Sequence, residues 1–145
     1  MRRVYAREEL CIGCGLCEIY CAVYHSKSKD VIKAFKKEDP APIARIKLLE
    51  SKPISLTVQC RHCPDPACVL ACLTGAMYID ETTRLVVHDE DRCIGCLTCI
   101  MVCPFGAIKI NTNNSKVVKC DLCLGSKIPA CVENCPNEAL TFEEV

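Results

Sequence analysis

Sixteen of the 145 residues are cysteines, and they fall into four groups of four: Cys11, Cys14, Cys17, Cys21; Cys60, Cys63, Cys68, Cys72; Cys93, Cys96, Cys99, Cys103; and Cys120, Cys123, Cys131, Cys135. Closely spaced cysteines serve disulfides, structural zinc or iron–sulfur clusters. The opening MRRVYAREEL has no apolar run behind its arginines and lacks the form of a secretory signal. A cytoplasmic, reducing setting follows as the expectation, and there such cysteines are metal or redox ligands rather than disulfides. Zinc sites built from thiolates usually draw two cysteines from each of two separated pairs. Here the first and third groups each place three cysteines within seven residues, a loop suited to wrapping three corners of a cube.

Cys93 to Pro104 matches the C-x2-C-x2-C-x3-C-P run of bacterial ferredoxins, whose fourth cysteine serves the other cluster of a pair. This spacing predicts four [4Fe–4S] clusters, with a zinc-binding interaction module as the rival reading. Gly13 and Gly95 would let backbone N–H groups approach the cluster sulfurs. Ile12, Leu16, Val69 and Ile94 would shield the clusters from water. The second and fourth groups are loosened by insertions between their second and third cysteines.

The elements that position these ligands are short. Residues 71–80, ACLTGAMYID, recur as VCPFGAIKIN at 102–111 and again as NCPNEALTFE at 134–143. Each copy runs from a fourth cysteine through a turn into an alternating, half-buried strand. Two hairpins are predicted: Ala76–Ile79 with Leu85–His88, and Ala107–Ile110 with Lys116–Val118. One or two helical turns fit Cys17 to Tyr24 and Cys99 to Cys103. Between residues 25 and 52, Val31, Ile32 and Phe35 stand at helical spacing, followed by the Pro40-Ala41-Pro42 break and strand-like alternation from Ile43 to Leu49.

A tenth of the chain being cysteine leaves a thin apolar core, so metal must help to hold the fold. Eighteen basic residues balance eighteen acidic ones, and tryptophan is absent, which argues against a nucleic-acid partner. No stretch approaches the length of a membrane span, so no direct membrane insertion is expected. No catalytic triad, phosphate loop or dinucleotide fingerprint is present. The chain therefore reads as a non-catalytic protein, with any catalysis residing in a partner.

The four quartets, with QCRHCPDPAC at 59–68 and KCDLC at 119–123, resemble the ferredoxin-like electron-transfer subunits related to the small subunit of dimethyl sulfoxide reductase. HSKSKD at 25–30, PIARIK at 42–47 and residues 74–96 most resemble iron–sulfur proteins associated with carbon monoxide dehydrogenase. The resemblance implies an α+β fold of two ferredoxin-like dicluster lobes, with short β-hairpins, short helices and little other regular structure. Residues 1–24 with 112–145 would form the first lobe and 53–111 an inserted second lobe. Residues 25–52 would be a connector and candidate docking segment.

It also implies crossed ligand sets: Cys11, Cys14, Cys17 with Cys135; Cys120, Cys123, Cys131 with Cys21; Cys60, Cys63, Cys68 with Cys103; and Cys93, Cys96, Cys99 with Cys72. Ala22 and Leu73 stand where such proteins usually have proline, a departure affecting the local turn. Carbon monoxide dehydrogenase is the implied donor, and a hydrogenase, flavoprotein or ferredoxin the acceptor. A formate dehydrogenase or tungsten aldehyde oxidoreductase is the alternative catalytic partner. His62 is expected to face solvent or a sulfur, and His25 and His88 to be surface residues. Lys27, Lys29, Lys33, Lys36, Lys37 and Arg45 form the candidate docking patch.

Overall fold

The computed structural model describes residues 1–144. It is an α+β fold of short pieces: β1 (Arg2–Ala6), α1 (Leu16–Tyr24), α2 (Val31–Lys36), β2 (Lys47–Ser51), β3 (Ile54–Val58), α3 (Ala67–Leu70), β4 (Met77–Ile79), β5 (Val86–His88), α4 (Thr98–Val102), β6 (Ile108–Ile110), β7 (Val117–Lys119), α5 (Ala130–Glu133) and β8 (Leu140–Glu144). The strands form antiparallel pairs: β1 with β8, β2 with β3, β4 with β5 and β6 with β7. Helices also lie against one another, α1 on α5 and α3 on α4.

The sequence repeat is a repeat of backbone conformation. Gly75, Gly106 and Glu138 occupy the same slot, and all three have positive φ, at 67°, 58° and 51°. Each turns the chain so that the next residue, Ala76, Ala107 or Ala139, is buried at the start of a strand. The two predicted hairpins lie within a residue of their expected bounds. Their turns match as well: the Arg84 N–H donates to the Asp80 carbonyl and the Ser115 N–H to the Asn111 carbonyl, each at 2.8 Å. The Asp80 and Asn111 side chains accept the N–H groups of Thr83 and Asn113.

Helix α1 continues past Cys21 to Tyr24 because Ala22 keeps the N–H that proline would lack, and Ala22 is buried there. Helix α2 begins at Asp30, whose carboxylate caps the Lys33 N–H at 2.9 Å. Its expected apolar stripe is not buried. Ala34 faces inward, whereas Val31, Ile32 and Phe35 are exposed. The strand expected over 43–49 begins only at Lys47, since the preceding residues serve other contacts: Ile46 is fully buried, and Lys109 Nζ donates to the carbonyls of Ala44 and Ile46 at 2.8 and 2.9 Å.

Strand β3 has no counterpart among the elements expected from sequence, and its polar face points inward. Ser55, Thr57 and Gln59 are buried. The Ser55 hydroxyl donates to the Cys11 carbonyl at 3.0 Å, Thr57 Oγ1 lies 3.5 Å from Cys17 Sγ, and the Gln59 amide donates to the Val4 carbonyl at 2.9 Å. Residues 53–59, reckoned with the second lobe from sequence, thus lie against the first cysteine group.

Two small cores share the molecule. One gathers Val4, Cys17, Cys21, Ile46, Leu85, Cys120, Leu122, Cys131 and Leu140; the other gathers Met77, Val86, Cys99, Ile108 and Val117. Adjacent Leu85 and Val86 enter different cores, as strand alternation dictates, so the β4–β5 hairpin joins the two halves.

Candidate iron–sulfur centres

The first C-x2-C loop of each cysteine group holds its second intervening residue in the left-handed region: Gly13 at φ 68°, His62 at 47°, Gly95 at 73° and Leu122 at 57°. Glycine does this freely, but histidine and leucine do so at a cost. The return is visible at sulfur. The N–H of His62 points to Cys60 Sγ at 3.5 Å and that of Leu122 to Cys120 Sγ at 3.4 Å. Arg45 and Met77 donate backbone N–H groups to Cys21 Sγ and Cys72 Sγ at 3.2 and 3.4 Å, and the Thr98 hydroxyl donates to Cys96 Sγ at 3.5 Å. Such donors orient thiolate ligands and tune their electron density. Sequence reasoning found the glycines but not His62 or Leu122. Their shared position in the C-x2-C motif was the available signal.

The cysteines converge across groups. Cys11, Cys14, Cys17 and Cys135 line one cavity; Cys60, Cys63, Cys68 and Cys103 line a second; Cys72, Cys93, Cys96 and Cys99 line a third. The remaining four, Cys21, Cys120, Cys123 and Cys131, are all buried. Burial, followed by repulsion from Cys120, Cys21 and Cys123, drives the Cys131 thiol far above its ordinary range. Burial likewise pushes Cys120 up to about 12 and Cys21 to about 11. Protonated thiols at such density gain little from one another; thiolates around an iron core satisfy the same geometry. All sixteen cysteines are free of disulfides.

Several single-residue expectations need correction. Ile12 and Ile94 line the first and third cavities at their mouths, yet each is 66% exposed, so each shields only its cavity side. His62 is fully buried, and its Nδ1 accepts the Val86 N–H at 3.1 Å. Burial, with the nearby Lys119 charge, holds its pKa down at about 3, so the ring is neutral at physiological pH. His25 is no free surface residue: its Nε2 lies 3.1 Å from Asp121 Oδ1. His88 is half-buried with a sealed Nε2. Arg45 is withdrawn from the basic patch by a 2.6 Å ion pair with Asp121. Burial opposes ionisation of Asp121, yet the His25 hydrogen bond and Arg45 charge outweigh it and hold the carboxyl at about 2.

A fold of paired ferredoxin-like halves with four cysteine quartets defines the class as a multicluster iron–sulfur protein. The family described as "4Fe-4S dicluster domain" matches residues 53–145, and that described as "4Fe-4S binding domain" matches residues 8–24. An iron–sulfur protein of Rhodospirillum rubrum is 40% identical, covering 98% of this chain and 82% of its own. One subunit of the anaerobic dimethyl sulfoxide reductase of Escherichia coli (strain K12) is 38% identical, covering 91% of this chain and 68% of its own. A chain of the BamBC active-site complex of benzoyl coenzyme A reductase shares the fold, with a TM-score of 0.55 at 18% identity over 99% of this chain and 76% of that one.

The chain belongs to the 4Fe–4S dicluster family of ferredoxin-like electron-transfer subunits. Its sixteen cysteines carry four [4Fe–4S] clusters, and the zinc reading is set aside. Among the described residues no helix is long and apolar enough to cross a membrane.

Proposed function

We propose that this chain is the non-catalytic electron relay of a cytoplasmic carbon monoxide dehydrogenase system. The clusters supply the chemistry, taking up and releasing one electron at a time. The chain's own residues hold them, in the crossed sets Cys11/Cys14/Cys17/Cys135, Cys21/Cys120/Cys123/Cys131, Cys60/Cys63/Cys68/Cys103 and Cys72/Cys93/Cys96/Cys99. The observation carrying this reading is that three of those quartets each line one cavity, drawing ligands from two sequence groups.

Two cavity mouths lie under exposed apolar side chains, Ile12 and Ile94, with Leu73 and Met101 also exposed in the second half. A protein surface laid over such a mouth would exclude water and bring its own redox centre close. Assignment of the dehydrogenase as donor rests on the sequence likeness at 25–30, 42–47 and 74–96. The first two stretches meet at Asp121, which binds His25 and Arg45 beside the Cys120 loop. Helix α2 supplies a docking surface of mixed character, with Val31, Ile32 and Phe35 exposed among Lys33, Lys36 and Lys37. The acceptor would be a hydrogenase, flavoprotein or ferredoxin.

The test is anaerobic reduction of the purified protein. Carbon monoxide with its dehydrogenase should bleach the visible absorbance, and reversing Lys33, Lys36 and Lys37 to glutamate should slow bleaching at unchanged iron content. Reduction by formate or an aldehyde with the corresponding oxidoreductase, but not by carbon monoxide, transfers the assignment to those partners.

A further inference from the structure

Lys119 is a charged side chain sealed inside this protein, only 3% exposed. Its ammonium donates to the Cys120 carbonyl at 2.9 Å. Among the described residues no carboxylate lies within ion-pair distance of it. A neutral carbonyl leaves two of the three N–H donors unused and the charge itself uncompensated. Burying an ammonium without a counter-charge is strongly unfavourable, so its position asks for a negative neighbour.

The fold places two such neighbours beside it. Lys119 pairs in register with Ile108, which lines the cavity of Cys60, Cys63, Cys68 and Cys103. Its chain neighbour is Cys120, of the buried quartet with Cys21, Cys123 and Cys131. Burial raises the Cys68 and Cys120 thiols, and at both the Lys119 charge works in the opposite direction. Four thiolates outweigh the positive iron–sulfide core, so a cluster is a net anion that gains a further negative charge on reduction, and net charge is one determinant of its potential.

We propose that the Lys119 ammonium is a fixed internal counter-charge shared by the clusters of these two quartets, stabilising their one-electron-reduced states and raising their reduction potentials. The proposal rests on the ligand sets given above. The reduction adds one electron to a cluster core, supplied by an external reductant, and needs no proton from Lys119. Lys119 is a positioning charge rather than a ligand, and its effect is confined to the two clusters beside it. Electrons entering at the cavities of Cys14 or Cys96 would be drawn inward toward it.

The experiment is an anaerobic dithionite titration of the full chain, followed by EPR, for wild type, Lys119→Gln, Lys119→Met and Lys119→Arg. The neutral variants, at full iron content, should lose at least tenfold in the reduced-to-oxidised ratio of two clusters at fixed potential, equivalent to 59 mV for one electron. The other two clusters should not move, and Lys119→Arg should match wild type. Unchanged potentials in the neutral variants, or an equal shift in all four clusters, overturn the proposal. Cys68→Ser and Cys123→Ser identify the affected signals independently. If Lys119 shifts other signals, this proposal fails and the ligand sets stand; if the two serine variants alter one and the same signal, the ligand sets fail. Should both neutral variants lose clusters, Lys119→Arg decides: full loading at native potentials supports a requirement for charge, and cluster loss there too overturns it.

Discussion

The ring of His62 accepts the backbone N–H of Val86 at 3.1 Å, fastening the second cysteine loop to strand β5. Both residues are buried. Removing the acceptor strands a buried amide, a loss of about 1–3 kcal/mol. His62→Leu should therefore lower the denaturant midpoint of the loaded protein and speed loss of visible absorbance. His62→Asn, which keeps an acceptor, should lose less. Equal behaviour of the two variants would show that the hydrogen bond contributes little.

Gly95 and Gly13 hold the same slot but face different neighbours. An added Cβ at Gly95 would sit 2.6 Å from the backbone oxygen of Ser115, whereas at Gly13 it would meet the Glu50 carboxylate at 2.8 Å. Glu50 is exposed and can rotate away; the β6–β7 turn cannot. Both alanine variants carry the left-handed strain of about 1–2 kcal/mol, and only Gly95→Ala adds a backbone clash. Iron-to-protein ratios should fall further for Gly95→Ala than for Gly13→Ala, and the reverse order would refute this account.

The crossed ligand sets proposed above would make distant residues neighbours. Cys135→Ser should perturb the cluster of Cys11, Cys14 and Cys17 while the cluster of Cys120, Cys123 and Cys131 stays closer to native, as read by EPR of singly reduced samples. Loss confined to the sequence-adjacent cluster would contradict the crossing.

Isolated without oxygen, the protein should hold close to sixteen iron and sixteen acid-labile sulfide, four of each per quartet of its sixteen cysteines. With two thin cores rich in cysteine, the iron-free chain should lack a cooperative melting transition, because assembly of the sites and folding are coupled. Calorimetry of chelated protein checks this; a sharp endotherm would count against it.

Much of the fold was legible because cysteine spacing and the ACLTGAMYID repeat are local signals. The hairpins at 76–88 and 107–118 carry their own alternation and turn chemistry, and they emerge within a residue of expectation. What stayed hidden depends on contacts between distant segments. Strand β3 buries Ser55 and Thr57 instead of its apolar residues because those hydroxyls serve Cys11 and Cys17, so a rule that places apolar side chains inward misreads it. His62 and Leu122 adopt glycine-like backbone angles because a sulfur acceptor waits two residues back, which no propensity scale records. His25, His88 and Arg45 looked like surface residues because their neighbours lie far along the chain.

The pairing of β1 with β8 aligns Arg2 with Glu144 and Ala6 with Leu140. During synthesis, the first strand therefore leaves the ribosome long before its partner exists, and the half of the molecule that contains it stays open until residues 140–144 have been made. The β4–β5 and β6–β7 hairpins close much earlier, over short loops. Maturation thus has a built-in order: the half closed by the local hairpins is ready for iron delivery first, and the half that needs β1 joined to β8 follows.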